Sequence, residues 1–102
     1  MSIVLLVEYT PLEGKKDELL EALTSGAAAV HAEAGCEKYA FHSTKEKVYL
    51  IESWADKDAL EAHANGEPIK ALRAATQDLL AEQASITPLR PAPSGDPQKG
   101  TI

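Results

Sequence analysis

Three residues in the middle of the chain, His63, Glu52 and Trp54, have side chains suited to chemistry. Histidine is the side chain best able to exchange a proton near neutral pH. Glu52 lies between apolar residues, and a buried carboxylate needs a partner, which Lys38, Arg73 or His63 could supply. Together with an aromatic wall from the tryptophan, these groups suit a flat, apolar molecule that must lose a proton.

Each of these residues also has a purely structural interpretation. Trp54 could simply fill a thin core, because tryptophan buries a large apolar area. His63 shares a helical face with Leu60 and Ala59, and an inward histidine is more often a satisfied core residue than a catalyst. Glu52 could belong to a structural ion pair. The residue types alone leave these alternatives open.

Other familiar sites are missing from the sequence. There are no His-x-x-x-His pairs or paired cysteines, so we expect no metal site. We also find no phosphate-binding glycine loop and no Gly-x-Ser-x-Gly elbow. Cys36 follows a predicted helix end, whose carbonyl groups would raise the pKa of the thiol, the wrong direction for a nucleophile.

The composition is that of a small globular domain. The 102 residues fit one domain, with 44% apolar residues, 25% charged residues and a formal net charge of −6. The basic residues are spread along the chain, which argues against binding to nucleic acid or to an anionic membrane. A single cysteine and an N-terminus without a signal-peptide pattern lead us to expect a cytoplasmic protein.

The hydrophobic pattern predicts strands and helices in the order βαββαβ. The predicted elements are a strand at Ile3–Tyr9, a helix at 14–33, a hairpin of Cys36–Ser43 and Val48–Trp54, helices at Lys57–Ala64 and from Pro68 through Leu80, and a strand at 84–89. Residues 1–90 therefore form the predicted domain. Residues 91–102, rich in proline and glycine, form an expected flexible tail.

This order folds into a four-stranded antiparallel sheet with all helices on one face. The strands are apolar on both sides, so the other face also needs cover. A second copy of the sheet would supply it, which predicts a homodimer. Gly26 inside a helix suggests a close contact there, and Gly35 is a natural left-handed stop after the helix.

Four segments of the chain are GCEKY at 35–39, ESWAD at 52–56, LEAH at 60–63 and EPIKA at 67–71. Together they resemble the antibiotic biosynthesis monooxygenase family and its quinol monooxygenase-like branch. The resemblance extends from about Ile3 to Pro91. It implies an α+β, ferredoxin-like protomer that pairs into a dimeric α+β barrel, with a pocket between sheet and helices. It also implies oxygenation of an electron-rich substrate without metal, flavin or haem as cofactor.

Two well-known branches of that family are a poor match. The aromatic-polyketide oxygenases use Asn, Trp, Tyr and Arg, where this chain has Leu50, Trp54, Leu60 and, within one residue, Arg73. The haem-degrading branch uses Asn, Trp and His at positions that correspond here to Val7, His63 and Arg73. The quinol monooxygenase-like branch and a branch that isomerises a small phosphorylated metabolite both have a histidine at the place of His63.

We therefore predict a cofactor-independent monooxygenase that oxidises a small aromatic quinol with molecular oxygen. His63 is the predicted proton acceptor, Glu52 its orienting partner or a polar wall, and Trp54 a surface on which the substrate stacks. The other predicted substrate-binding residues are Arg73, Leu50, Leu60 and Tyr39. The alternatives are a small-molecule-binding dimer without catalysis and an isomerase of a small phosphorylated metabolite.

Overall fold

The computed structural model describes residues 2–102, and the elements follow the predicted order, except that the first predicted helix is divided in two. The strands are β1 (Ile3–Tyr9), β2 (Cys36–Ser43), β3 (Val48–Trp54) and β4 (Ser85–Leu89). The helices are α1 (Lys16–Ser25), α2 (Ala27–His31), α3 (Lys57–Ala64) and α4 (Glu67–Thr76), with a 3₁₀ turn at Gln77–Leu79. Within this range the strands form an antiparallel sheet in the order β2-β3-β1-β4, which confirms the α+β ferredoxin-like fold.

The register of the sheet decides which side chains face the helices. Leu5 of β1 and Tyr39 of β2 both lie opposite Glu52 of β3, and Val7 lies opposite Leu50. Because successive strand residues point to opposite sides, these side chains share one face of the sheet. We call it the inner face, since the helices pack on it and bury a common apolar cluster there.

The predicted helix at 14–33 is wrong in one respect, because it is two helices. Gly26 lies between α1 and α2, and its N–H group bonds back to the carbonyl of Leu23 at 3.3 Å. A Cβ atom added to Gly26 would lie 3.2 Å from Cδ1 of Leu72 in α4. The predicted close contact at this glycine is therefore confirmed, and α4 is the element that makes it.

The helix predicted from Pro68 through Leu80 ends earlier than the sequence pattern suggests, whereas both helix starts in this segment agree with the prediction. Asp56 caps α3 as predicted, since its Oδ1 atom accepts a hydrogen bond from the Ala59 N–H group at 2.8 Å. Pro68 lies in the first turn of α4, also as predicted. Helix α4 then ends at Thr76 and does not extend through Leu80. Leu79 lies in the 3₁₀ turn and is buried there, and Leu80 pairs with Pro11 in an isolated bridge.

Strand β4 lies at the edge of the sheet, which agrees with the presence of Pro88 in its sequence. It pairs with β1 only, and all five of its residues are exposed. Residues 91–102 lie outside any helix or strand, and their flexibility stays a prediction. None of the helices between residues 2 and 102 is long and apolar enough to cross a membrane.

The face of the sheet away from the helices, which we call the outer face, is also apolar in its middle. Ala40, Ile51 and Leu6 lie side by side across β2, β3 and β1. All three are only half-buried in the single chain. Next to them Val4 is buried and lies opposite Leu89, which is 42% exposed.

The turn before β2 depends on Gly35, as the predicted left-handed stop requires. Its φ angle is +80°, and its carbonyl accepts a hydrogen bond from the Ala55 N–H group at 2.8 Å. A Cβ atom at this position would collide with the Cβ atom of Ala59 in α3. The glycine therefore permits both the backbone conformation and the close approach of α3.

We expect Gly35→Ala to lower the free energy of unfolding by about 2–4 kcal/mol, from backbone strain and the collision with Ala59 together. Gly14→Ala is the matched control, because Gly14 has a φ angle of +77° and nothing within 4 Å of an added Cβ. It should cost only about 1 kcal/mol. Urea unfolding measures both, and equal losses would contradict the role assigned to the Ala59 contact.

Candidate functional site

A cavity of about 460 Å³ lies between the inner face of the sheet and helices α3 and α4. Much of its wall is apolar, with side chains such as Leu5, Val7 and Ile69. Five of the predicted site residues line it, namely His63, Glu52, Tyr39, Leu60 and Arg73. The volume is within the usual range for small-molecule sites.

His63 is held in place by Glu33, in the turn that precedes β2. Its Nδ1 atom lies 2.7 Å from Oε1 of Glu33, and the His63 side chain is only 5% exposed. A carboxylate can only accept hydrogen bonds, so Nδ1 carries the hydrogen and donates it. In the neutral ring the lone pair is then on Nε2, the atom that can accept a proton.

Glu52 lies beside that lone pair. Its Oε1 atom is 3.9 Å from Nε2 of His63. This distance is too long for a hydrogen bond, but it is short enough for the two groups to interact electrostatically. The same Oε1 atom accepts a hydrogen bond from Nε1 of Trp54 at 2.9 Å. The indole ring in turn stacks on the imidazole, with ring centroids 4.5 Å apart and planes 26° apart.

Burial raises the pKa of Glu52 above its ordinary value, although the Trp54 hydrogen bond and the nearby His63 lower it in part. The residue is 6% exposed, so removal from water disfavours its charged form. A carboxyl group with a raised pKa, next to a fixed imidazole, forms a site that can take up and pass on a proton.

Two predicted substrate-binding residues, Trp54 and Leu50, are placed differently from the prediction. Both are almost fully buried and neither is part of the cavity wall. Trp54 lies behind His63, because its ring stacks on the imidazole and its N–H group is bound to Glu52. Its aromatic surface therefore faces the catalytic candidate and not the cavity.

Of the three partners considered for Glu52, His63 is the one that lies close to it. Lys38 lies opposite Ser53 on the outer face and is exposed. Arg73 is on the cavity wall, yet it forms no salt bridge with any residue in the range 2–102. The hydrogen-bond partner that the sequence analysis missed is the Trp54 N–H group.

Glu33 and Tyr9 are the other site residues that sequence reasoning missed. Glu33 lies at the end of a predicted helix and looks like any surface acid there, and its 30-residue separation from His63 conceals the pairing. Tyr9 is the last residue of an apolar strand, and the alternation of β1 places it on the same face as Leu5 and Val7. Alternation was therefore the signal that could have identified Tyr9.

Cys36 does not line this cavity. Burial raises the pKa of its thiol, and the carboxylates of Glu33, Glu52 and Glu37 raise it further. The predicted direction is confirmed, but its causes are burial and these carboxylates, whereas the prediction rested on the carbonyl groups of a helix end. Among residues 2–102, no group of three or more His, Cys, Asp or Glu side chains could hold a metal ion.

Comparison with known proteins places this chain in a family. The family model described as antibiotic biosynthesis monooxygenase matches residues 2–75. The chain belongs to the antibiotic biosynthesis monooxygenase family. The search of curated proteins returned no match to this chain.

Solved structures agree with this family fold. A Pseudomonas aeruginosa protein is 31% identical, with a TM-score of 0.78 over 86% of this chain and 91% of its own. A Caulobacter crescentus protein, described as a candidate antibiotic biosynthesis monooxygenase, is 26% identical, with a TM-score of 0.80 over 86% and 87%. A Mycobacterium tuberculosis protein is 20% identical, with a TM-score of 0.83 over 94% and 100%, which shows the shared fold.

The raised pKa of Glu52 predicts how stability depends on pH. Because the folded state favours the neutral carboxyl group, the contribution of Glu52 to stability is greatest below its unfolded-state pKa and is lost as pH rises through the folded-state pKa. Glu52→Gln keeps an oxygen that can accept from Trp54 and removes this titration. We expect the variant to be at least as stable as the wild type at neutral pH and relatively less stable at acidic pH.

Glu37→Gln is the control with the opposite sign. Hydrogen bonds from Ser2 and Ser53 lower the pKa of Glu37, so its stabilising contribution is present above the unfolded-state pKa and is lost as pH falls. Urea unfolding at a series of pH values measures both differences from wild type. A Glu52→Gln difference that does not change with pH would contradict the raised pKa.

Proposed function

We propose that this family member is a cofactor-independent monooxygenase that oxidises a small aromatic quinol with molecular oxygen. The observation that carries the proposal is the array of Glu33, His63 and Glu52, in which His63 and Glu52 line a largely apolar cavity and Glu33 is bound to His63. Such a wall can bind a flat aromatic molecule, and the array can remove its acidic proton.

Proton removal is the step for which the side chains are arranged. In the proposed reaction Nε2 of His63 accepts the phenolic proton, and the Glu33 carboxylate stabilises the imidazolium ion through its bond to Nδ1. Glu52, 3.9 Å from Nε2, adds negative charge on the other side of the ring whenever it is ionised. This arrangement makes Glu33 the orienting partner of His63, the role that the sequence analysis assigned to Glu52.

The deprotonated substrate supplies the electrons that reduce oxygen. A quinolate is electron-rich, so a carbon–oxygen bond can form on its ring as the O–O bond breaks. One oxygen atom enters the product, a hydroxylated quinone, and the other leaves as water with the two hydrogens that the quinol gives up. The contribution of the protein is to bind the substrate, take up the proton and exclude water from the apolar part of the cavity.

We expect the wild-type protein to consume oxygen with hydroquinones in metal-free buffer. His63→Ala should lower kcat/KM by about 10²–10⁴-fold, because the proton acceptor is lost. Glu33→Gln should lower it by a smaller factor, since Nε2 remains but its hydrogen-bonded carboxylate does not. An oxygen electrode measures the rates, and Glu61→Gln, at an exposed site on α3, is the control that should leave them unchanged.

The outcome that contradicts the oxygenase is a wild-type protein that consumes no hydroquinone of a broad panel. If an aromatic compound still quenches Trp54 fluorescence saturably in that case, the result would support the alternative function, a dimer that binds a small molecule without catalysis. Trp54 is a suitable reporter because it contacts both His63 and Glu52 while remaining buried itself.

One observation favours the isomerase of a phosphorylated metabolite as a second candidate. The positively charged Arg73 lines the cavity without a salt bridge to any residue of the described range, so it could bind an anion. Glu52 and Glu82 line the same cavity, and two carboxyl groups disfavour a phosphate dianion. Competition by inorganic phosphate for the site would support the isomerase, and indifference to phosphate would support the quinol.

We also propose that two copies pair through their outer faces. The supporting observation is the apolar row of Ala40, Ile51 and Leu6 in the middle of a sheet face that the helices leave uncovered. Two such faces packed together would bury the row and join the two sheets. A twofold axis would bring the same apolar patch of each copy together.

Ile51→Lys should dissociate this dimer. It places two charges, one from each copy, in an apolar interface, so we expect the dissociation constant to rise by at least about 100-fold. Analytical ultracentrifugation measures the constant. Ala62→Lys, at an exposed position of α3, should leave it unchanged. A wild-type protein that sediments as a monomer at high concentration would exclude the pairing.

A further inference from the structure

The hydroxyl group of Tyr39 has no hydrogen-bond partner among residues 2–102. Tyr39 is 4% exposed, and the other fully buried side-chain nitrogen and oxygen atoms of this part of the chain are all paired. Burying a hydroxyl without a partner is unfavourable, and proteins retain few such groups without a functional reason. The unpaired hydroxyl is therefore a group for which a ligand atom would be the natural partner.

The Tyr39 side chain lies close to several polar residues of the cavity wall. The Tyr39 ring lies edge-on to His63, with ring centroids 5.8 Å apart and planes 67° apart. Tyr9 and Glu52 act on the Tyr39 hydroxyl electrostatically, and both also line the cavity. Tyr9 is 8% exposed.

Both phenols remain protonated at neutral pH, so each can donate a hydrogen bond to an anion. Burial, with the charge of Glu52, raises the pKa of Tyr9 to about 12, although Arg73 opposes this. Burial, followed by Tyr9 and Glu52, raises the pKa of Tyr39 further. The cavity thus has hydrogen-bond donors in its tyrosines, next to proton acceptors at His63 and Glu52.

We propose that the hydroxyl groups of Tyr39 and Tyr9 bind the ionised oxygen of the substrate after its proton has passed to His63. The site then selects aromatic molecules that carry an acidic O–H group, because only these give an oxyanion for the two donors. Neutral donors removed from water stabilise an oxyanion strongly, since bulk water does not compete for them. This inference rests on the proposed function for its substrate class and adds the residues that hold the reacting oxygen.

The test uses para-nitrophenol, whose phenolate absorbs visible light, and its methyl ether para-nitroanisole, which cannot ionise. The wild type should bind para-nitrophenol saturably and show the phenolate band at a pH at which the free probe is mostly neutral. It should bind para-nitroanisole more weakly. Absorbance titration gives the dissociation constant and the protonation state of the bound probe in one experiment.

Tyr39→Phe should raise the dissociation constant of the phenolate by about 10- to 100-fold, the effect of losing one hydrogen bond to a charged group. It should leave para-nitroanisole binding within twofold and should not lower the Tm of the free protein, because the hydroxyl it removes has no partner. Tyr9→Phe should weaken phenolate binding as well. It provides a second variant if the first folds poorly.

Tyr49→Phe is the matched control. The Tyr49 hydroxyl donates a hydrogen bond to Glu8 at 2.9 Å, far from the cavity wall, so its removal should lower the Tm and leave phenolate binding unchanged. A purely structural role for Tyr39 would give the same pattern as Tyr49.

Phenolate binding by Tyr39→Phe and Tyr9→Phe that stays within twofold of wild type would overturn the inference. A wild type that does not bind the phenolate would overturn it as well. The proposed function is tested separately by oxygen uptake with hydroquinones. Phenolate binding that depends on the tyrosines, without oxygen uptake, would support this inference and contradict the oxygenase function. Oxygen uptake that both Tyr→Phe variants retain would contradict only the inference.

Discussion

The burial of one carboxyl group, that of Glu52, is the constraint on which the site depends. Glu52 lies on the central strand β3, between Leu5 of β1 and Tyr39 of β2, where the surroundings are mainly apolar. A carboxyl group in such a position needs a hydrogen-bond donor and, when it is ionised, a nearby group of opposite charge. The Trp54 N–H group is the donor, and His63 is close enough to interact with the carboxylate electrostatically.

The position of His63 depends in turn on how closely α3 approaches the turn before β2. Gly35 lets Ala59 come into contact with that turn, and an added Cβ at Gly66 would lie 3.1 Å from Oε2 of Glu33. The missing side chain at Gly66 therefore leaves room for the carboxylate of Glu33. This packing holds its carboxylate against Nδ1 of His63 and fixes which nitrogen of the ring is free for chemistry.

The family fold leaves the chemistry to the residues of the cavity wall. At Leu50 and Leu60, where the polyketide oxygenases use polar side chains, this chain is apolar, and Leu50 is buried below the wall. Its cavity wall instead has acceptors at His63 and Glu52 and hydroxyl donors at Tyr39 and Tyr9, of which the buried Tyr39 hydroxyl has no partner in the described range. A fold supports many activities, and here the distribution of donors and acceptors argues for a substrate with an acidic hydroxyl group.

The sequence by itself determined the order of elements, the sheet, the cap at Asp56, the stop at Gly35 and the inward direction of Glu52 and His63, because local periodicity and turn chemistry carry that information. It did not determine the break at Gly26, nor that Leu72 of a distant helix is the residue that approaches this glycine. Nor did it reveal that Glu33 holds His63 or that Trp54 lies behind the ring. Those pairings join residues from separate elements, and only the packing of helices on the sheet decides which of them meet.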